Sequence, residues 1–334
     1  MRVWGLIIFL GLILSTVGRC VLATQSEATD EVRGNASSDT AEQIPSTAVP
    51  APTPFPPGST IQFAIIGDYG SNSPGETAVA TLVAGWDPNF VITVGDNNYP
   101  SGAARTIDTN IGQYYENFIG NYQGNYGNGS SVNRFWPTLG NHDWRSLSCN
   151  ASICTGPYFD YFTLPGNERY YELDFGTISL FALNSNNREP DGNDVDKAQA
   201  AWLQSALAAS NSCFNLVYFH HAPYSSGEHG NYKDMQWPFA KWGADSVVAG
   251  HDHDYERLDV NSVPYFVNGL GGRDLDPFTN VGNLPPGVIS IVQYNAEYSA
   301  MLVTVTDSVM ILQSFNTHKD LIDEYKIDKA CIAT

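Results

Sequence analysis

The stretch Phe90-Val91-Ile92-Thr93-Val94-Gly95-Asp96-Asn97-Asn98-Tyr99 decides how the rest of the chain is read. Its first five residues are β-branched or aromatic and show no polar alternation, the pattern of a strand buried on both faces. A carboxylate at the end of such a strand points into the mouth of a sheet, where open α/β folds bind their ligands. Asp96 has two oxygens and can bridge two cations. Tyr99, three residues on, is close enough to reach one of them. Alone, an Asp-Asn-Asn run after a strand is more often just a turn. Recurrence changes that reading.

Four more apolar runs end the same way. Ile61–Ile66 leads into Gly67-Asp68-Tyr69-Gly70, and Trp136–Leu139 into Gly140-Asn141-His142-Asp143. Phe214–Phe219 runs into His220-His221, and Ser246–Ala249 into Gly250-His251-Asp252-His253. Six of the seven histidines fall between 142 and 253; only His318 lies outside. Five polar clusters in phase with five strand ends make one composite site.

Between these strands the pattern predicts helices. Ser73 then Pro74 is an N-cap followed by proline at the first helical position, opening a helix to about Ala84. Ile107, Ile111, Tyr114, Tyr115 and Phe118 recur at helical spacing, which predicts a helix over 106–119. Asp194 is read as the cap of a helix to about Ala209, with Val195, Ala198, Trp202 and Ala206 on its packed face. A further helix is read over 232–242, a long loop over 144–168, a hairpin turning at Gly176-Thr177, and short strands over 257–328. Strands alternating with helices, then a run of strands, give a layered α/β domain.

The chain has 334 residues, 43% of them hydrophobic, and a formal net charge of −19. No basic run is present, which argues against a nucleic-acid partner. The same field repels anions, so a phosphate-like ligand must meet a strong local positive charge, which bound cations supply. Arg2 before the apolar run Val3–Leu14, with Val21-Leu22-Ala23 offering cleavage, reads as a secretory signal peptide over 1–23, with an uncleaved anchor as the other reading. The run is short for a span, so no stable membrane insertion is expected after cleavage. Residues 24–58 are rich in Ser, Thr, Ala and Pro and read as a disordered or extended linker before one catalytic domain over 59–334. Losing Cys20 with the signal leaves four cysteines. Cys149 and Cys154 flank a loop and are expected to pair in an exported protein, with Cys213 and Cys331 left by elimination. Asn35, Asn128 and Asn150 begin sequons.

Two Asp, one Tyr, one Asn and three His are too many donors for one ion. Nitrogen with carboxylate suits transition metals or zinc, whereas calcium and magnesium prefer oxygen throughout. The set fits two ions sharing a carboxylate. Such pairs, about 3.5–4 Å apart, clamp the attacking and leaving oxygens of a phosphoryl transfer.

Gly67-Asp68-x-Gly70, Gly95-Asp96-x-x-Tyr99, Gly140-Asn141-His142-Asp143, Val217-x-x-His220 and Gly250-His251-x-His253 together resemble the five blocks of the purple acid phosphatases, within the calcineurin-like metallophosphoesterase superfamily. The order is kept from about 61 to 257, and the start is similar to the small, tartrate-resistant type. The resemblance implies a four-layer sandwich of two mixed β-sheets flanked by helices. It implies that Asp68, Tyr99 and His253 bind a ferric ion (Fe3+), and that Asn141, His220 and His251 bind a divalent partner (Fe2+, Zn2+ or Mn2+). Asp96 would bridge them. His142 and His229 would face the substrate phosphate as catalytic residues.

Some alternatives stay open. The fourth block reads His220-His221; His220 keeps the Val-x-x-His spacing, and His221 would then support the site or face substrate. Asp143 is expected to orient His142. Tyr255 and Arg257 are expected to be structural, Tyr224 either lines the pocket or packs, and Tyr69 and Asn97 either touch substrate or fill the loop. The stretch after 258 matches no family motif closely.

The implied reaction is hydrolysis of small phosphate monoesters in a secreted acid phosphatase. The cations activate a water as hydroxide for in-line attack on phosphorus, with His142 or His229 assisting the leaving oxygen. The same metals could serve a phosphodiesterase or nucleotide pyrophosphatase. A secreted metal-binding protein without turnover is the alternative of another class, and His142 and His229 argue against it because metal binding alone does not need them.

Overall fold

The computed structural model describes residues 52–331. The expected signal peptide, Asn35 and most of the expected linker lie outside the described residues. The strands in chain order are β1 (Ile61–Ile66), β2 (Phe90–Thr93), β3 (Phe135–Pro137), β4 (Ser148–Asn150), β5 (Ile153–Thr155), β6 (Tyr171–Asp174), β7 (Ile178–Ala182) and β8 (Phe214–His221). There follow β9 (Ser246–Gly250), β10 (Tyr255–Val260), β11 (Val263–Asn268), β12 (Val288–Tyr294), β13 (Ser299–Val305), β14 (Val309–Asn316) and β15 (Leu321–Asp328). One sheet has the order β15-β14-β13-β1-β2-β3, the other β12-β10-β11-β9-β8-β7-β6. Both are mixed. β1, β2 and β3 are parallel, as are β7, β8, β9 and β11, while the outer strands pair antiparallel.

Side-chain alternation shows how the layers stack. In β8, Phe214, Leu216 and Tyr218 join β1 and β2 in one core, whereas Val217 and Phe219 join Leu203 and Leu207 of the helix Ala198–Ala209 in another. The first core therefore fills the space between the sheets, and the second seats a helix on the outer face. The helix Pro74–Trp86 adds Val79, Leu82 and Val83 to the first core. The Ser73 hydroxyl accepts from the Glu76 amide, while the Glu76 carboxylate accepts from the Ser71 and Asn72 amides, so this N-terminus is capped in both directions.

Four expectations need correction. The helical segment over 104–118 is not uniform: a π turn, Asp108–Gly112, interrupts it. The turn buries Asn110, whose amide donates to Gly70 O, Asn98 Oδ1 and Tyr99 O. Asp194 caps nothing. The helix begins at Ala198, Val195 and Ala198 are exposed, and the buried residues are Gln199, Ala200, Leu203 and Leu207, with the expected Trp202 and Ala206 packed half-buried at the edge of the same core. Gln199 sets this rotation, because its buried amide bonds to the Asn184 backbone N–H and C=O. Residues 144–168 hold the β4–β5 hairpin, in which Cys149 and Cys154 are paired both in register and by a disulfide. The segment 232–242 is a single 3-10 turn and a short helix, Phe239–Trp242, parted before Pro238. Cys213 is bridged to Cys331. Phe55 donates its amide to Phe175 O and lies against the Phe175 ring. Asn128 and Asn150 are exposed.

Candidate metal centre

The parallel strands of both sheets end at one edge; six of the seven expected donors lie in the turns that follow them, and His220 lies in the last residues of β8 itself. Ile66 is level with Thr93, and Thr93 with Pro137. Asp68 N donates to Gly95 O at 3.1 Å, joining the turns after β1 and β2 within one sheet, and His251 N donates to Asp68 Oδ2 at 3.0 Å, tying the two sheets across the gap. Asp68, Asp96 and His251 take positive φ values of 54°, 51° and 76°. Side chains pay for that conformation, and such residues gather at functional sites. Gly95 could be nothing else, since at φ +91° an added Cβ would sit 2.7 Å from the His220 ring.

The donors fall into two groups. Asp68 Oδ1, the Tyr99 hydroxyl and His253 Nε2 form a triangle with sides of 3.2, 3.2 and 3.5 Å. His220 Nε2 lies 2.9 Å from Asn141 Oδ1, 3.2 Å from His251 Nδ1 and 3.5 Å from Asp96 Oδ1. Carboxylate oxygens of Asp68 and Asp96 and a ring nitrogen of His220 all lie within 4.8 Å of one another, so Asp96 stands where the groups meet.

These side chains fit cations. His220 donates Nδ1–H to Val94 O at 2.9 Å, which leaves the Nε2 lone pair aimed at the acceptor oxygens of Asn141 and Asp96. Acceptors that converge this closely need a proton or a metal between them. Burial works against charge on His220, but Asp96 and Asp68 outweigh it and raise its pKa, so the site takes up a proton that a cation would displace. Burial and four neighbouring imidazoles hold His251 well below the usual histidine range, neutral and ready to ligate. Burial also resists charge on His253, yet Asp68 and Asp276 bring its pKa to about 9. Tyr99 is pushed well above the ordinary tyrosine value by burial and then by Asp96 and Asp68. Without a cation this phenol stays protonated.

His142 and His229 flank the donors. His142 Nδ1 donates to Pro100 O at 2.7 Å, and its Nε2 faces Asp96 Oδ2 at 3.9 Å. His229 is exposed and stacks on His251 with ring centroids 4.2 Å apart. His221 lies beside the convergence point, with a ring nitrogen within 4.8 Å of those of His220 and His251, while its Nδ1 bonds to the Ser185 hydroxyl at 2.8 Å and its ring stacks on Tyr232.

The supporting residues differ from expectation. Asp143 does not bond to the His142 side chain. Its Oδ2 accepts from Gly140 N and from both nitrogens of Asn97, joining two donor-bearing turns. Burial, then Asp96, raises its pKa to about 7. Tyr69 and Asn97 are buried and bond to each other, out of substrate's reach. Tyr255 and Arg257 both bond to Asp323, as structural residues would. Tyr224 packs edge-on against Tyr265. Two contributors carried no sequence signal: Asn110, on the π turn, and Asp276. Asp276 donates its amide to His253 O, accepts from His253 N, and sets its carboxylate 3.6 Å from His253 Nδ1.

The calcineurin-like phosphoesterase family matches residues 61–255, more than half of the chain. The chain belongs to that family. As a phosphoesterase it is a hydrolase acting on phosphate esters. It is 27% identical over 275 residues to tartrate-resistant acid phosphatase type 5 of Oryctolagus cuniculus, covering 72% of this chain and 81% of the relative. It is 26% identical over 258 residues to purple acid phosphatase 17 of Arabidopsis thaliana, covering 66% and 72%. The fold is similar to that of the purple acid phosphatase PPD1 from yellow lupin (Lupinus luteus) seeds, with a TM-score of 0.64 at 19% identity. That match covers 83% of this phosphoesterase but 55% of the lupin chain, so this chain spans little more than half of that protein.

Proposed function

We propose that the chain is an exported acid phosphatase that hydrolyses small phosphate monoesters at a two-metal centre. The observation that carries this reading is the meeting of two donor groups at Asp96, with one histidine on each flank. Asp68, Tyr99 and His253 would hold a ferric ion. Asn141, His220 and His251 would hold Fe2+, Zn2+ or Mn2+, and Asp96 would touch both. When bound, the two cations neutralise the phosphate and make a water nucleophilic at mild or acid pH.

The remaining work falls to the chain itself. The His220–Val94 and His253–Asp276 contacts set ring orientation and keep the ligating nitrogens turned inward. His142, anchored on Pro100 O, and His229, stacked on His251, stand at the two sides of the centre. From there either ring can hydrogen-bond the phosphate and assist the leaving oxygen; burial lowers the pKa of His142 and so eases release of a proton it carries. Export is supported by the N-terminal apolar run and by two disulfides.

The test is metal analysis with turnover on p-nitrophenyl phosphate. About two ions per chain and hydrolysis of the monoester well ahead of bis-p-nitrophenyl phosphate are expected. Full activity with a single ion would sink the two-metal reading, and a preference for the bis-ester would sink the monoester one.

A further inference from the structure

Tyr99 belongs to two places at once. It faces the metal centre, and it also forms a wall of an open cavity of about 440 Å³ together with Ser71, Asn72, Arg105, Thr109 and Arg273. Two guanidinium groups on one small cavity stand out in a chain of net charge −19 with only 16 basic residues.

Most described arginines are occupied inside the fold. Arg169 pairs with Glu189 and Asp191, and Arg257 with Asp323. Arg134 donates to Asn117 O, and Arg188 to Trp144 O and Leu147 O. The other three gather around Tyr99 and Pro100. Arg145 donates to Pro100 O. Arg273 lies 5.1 Å from the centre of the Tyr99 ring, and its ion pair is with its exposed neighbour Asp274 at 3.3 Å. Arg105 is exposed and makes no ion pair or hydrogen bond among the described residues. An exposed pair between neighbours binds weakly, so Arg273 is free to turn to an incoming anion. A guanidinium fork matches the oxygens of phosphate and carboxylate.

We propose that Arg105 and Arg273 form a second anion subsite beside the metal centre. The substrate class is then a phosphate ester whose leaving group carries a further anionic group, phosphate or carboxylate. This rests on the phosphomonoesterase reading above for the position of the scissile phosphate. In the reaction, the water oxygen forms a bond to phosphorus and the bond from phosphorus to the leaving oxygen breaks. The leaving oxygen departs with a proton, while the second anion keeps its charge and stays on the arginines. The arrangement also answers the electrostatic problem of this chain, because a local positive rim focuses an anion toward a site that the net charge disfavours.

The experiment compares wild type with Arg105→Gln, Arg273→Gln and the double variant on phenyl phosphate, 3-carboxyphenyl phosphate and pyrophosphate. For the double variant, kcat/KM on at least one of the two doubly anionic substrates should fall about tenfold or more relative to phenyl phosphate, mostly through KM. A fall confined to pyrophosphate assigns the subsite to phosphate, and one confined to 3-carboxyphenyl phosphate assigns it to carboxylate. An equal fall on all three substrates, or none, overturns the proposal. Calorimetry on the metal-loaded protein reads the subsite without turnover. Methylenediphosphonate should bind the double variant about tenfold more weakly than wild type, with methylphosphonate little changed. Equal affinity of wild type and variant for the diphosphonate overturns it. Selective weakening in a protein that fails to hydrolyse phenyl phosphate would remove the monoesterase reading and leave the subsite standing.

Discussion

The two donor groups of the centre are built from opposite materials. Asp68 and Tyr99 bring two oxygens that can carry negative charge, and the third member, His253, has the Asp276 carboxylate behind it. Asn141, His220 and His251 bring one neutral amide and two imidazoles, with a backbone carbonyl behind His220. The first set favours a hard, highly charged cation and the second a borderline divalent one. On the proposed reading, the difference means that a single shared carboxylate, Asp96, would hold two unlike cations side by side, each chosen by its own shell.

That comparison can be broken at its joint. Asp96→Asn should release both ions and lower turnover of p-nitrophenyl phosphate by at least about 10²-fold. Retention of either ion with full activity would make the two groups independent. His220→Ala should empty only the neutral group, leaving one ion per chain and little activity. His221→Ala should keep both ions, because its Nδ1 is already bonded to Ser185. The reverse pair of results would shift the ligand by one residue. His229→Ala sharpens the comparison from outside: both ions stay, and kcat falls by about 10²-fold at saturating substrate. An unchanged kcat would remove His229 from the reaction. Asp276→Asn should weaken only the ion of the anionic group, by about tenfold or more in a competition with chelator. Equal loss from both groups would show that Asp276 acts on the fold rather than on His253.

Where the sequence was legible, the signal was local. Each donor follows the end of its apolar run within five residues, so the phase between apolar run and polar cluster was visible without any knowledge of how the strands pair. The same locality explains the capped helix at Ser73, whereas the two mixed sheets, whose pairings reach as far as Ile61 with Val305, were implied only by the family resemblance. What could not be read depends on contacts made at a distance. Asp276 comes from a loop after β11 and meets His253 only in the folded chain. Asn110 is turned inward by a π turn that the apolar spacing of 106–119 does not encode. Asp143 was assigned to its neighbour His142, but its geometry serves Asn97 and Gly140. The rotation of the helix Ala198–Ala209 was set by buried Gln199, a polar residue that a hydrophobic pattern discounts.

The central claim is that the Tyr99 group binds a ferric ion as a phenolate. Burial and two carboxylates drive the Tyr99 hydroxyl well above its ordinary pKa, so only a strongly Lewis-acidic cation can keep it ionised at low pH. A tyrosinate on ferric iron absorbs visible light by charge transfer. The direct measurement is the visible spectrum of the purified protein, with iron analysis, for wild type and Tyr99→Phe. The account predicts a coloured, iron-containing wild type and loss of the band in the variant. A colourless, iron-free and fully active wild type would contradict it.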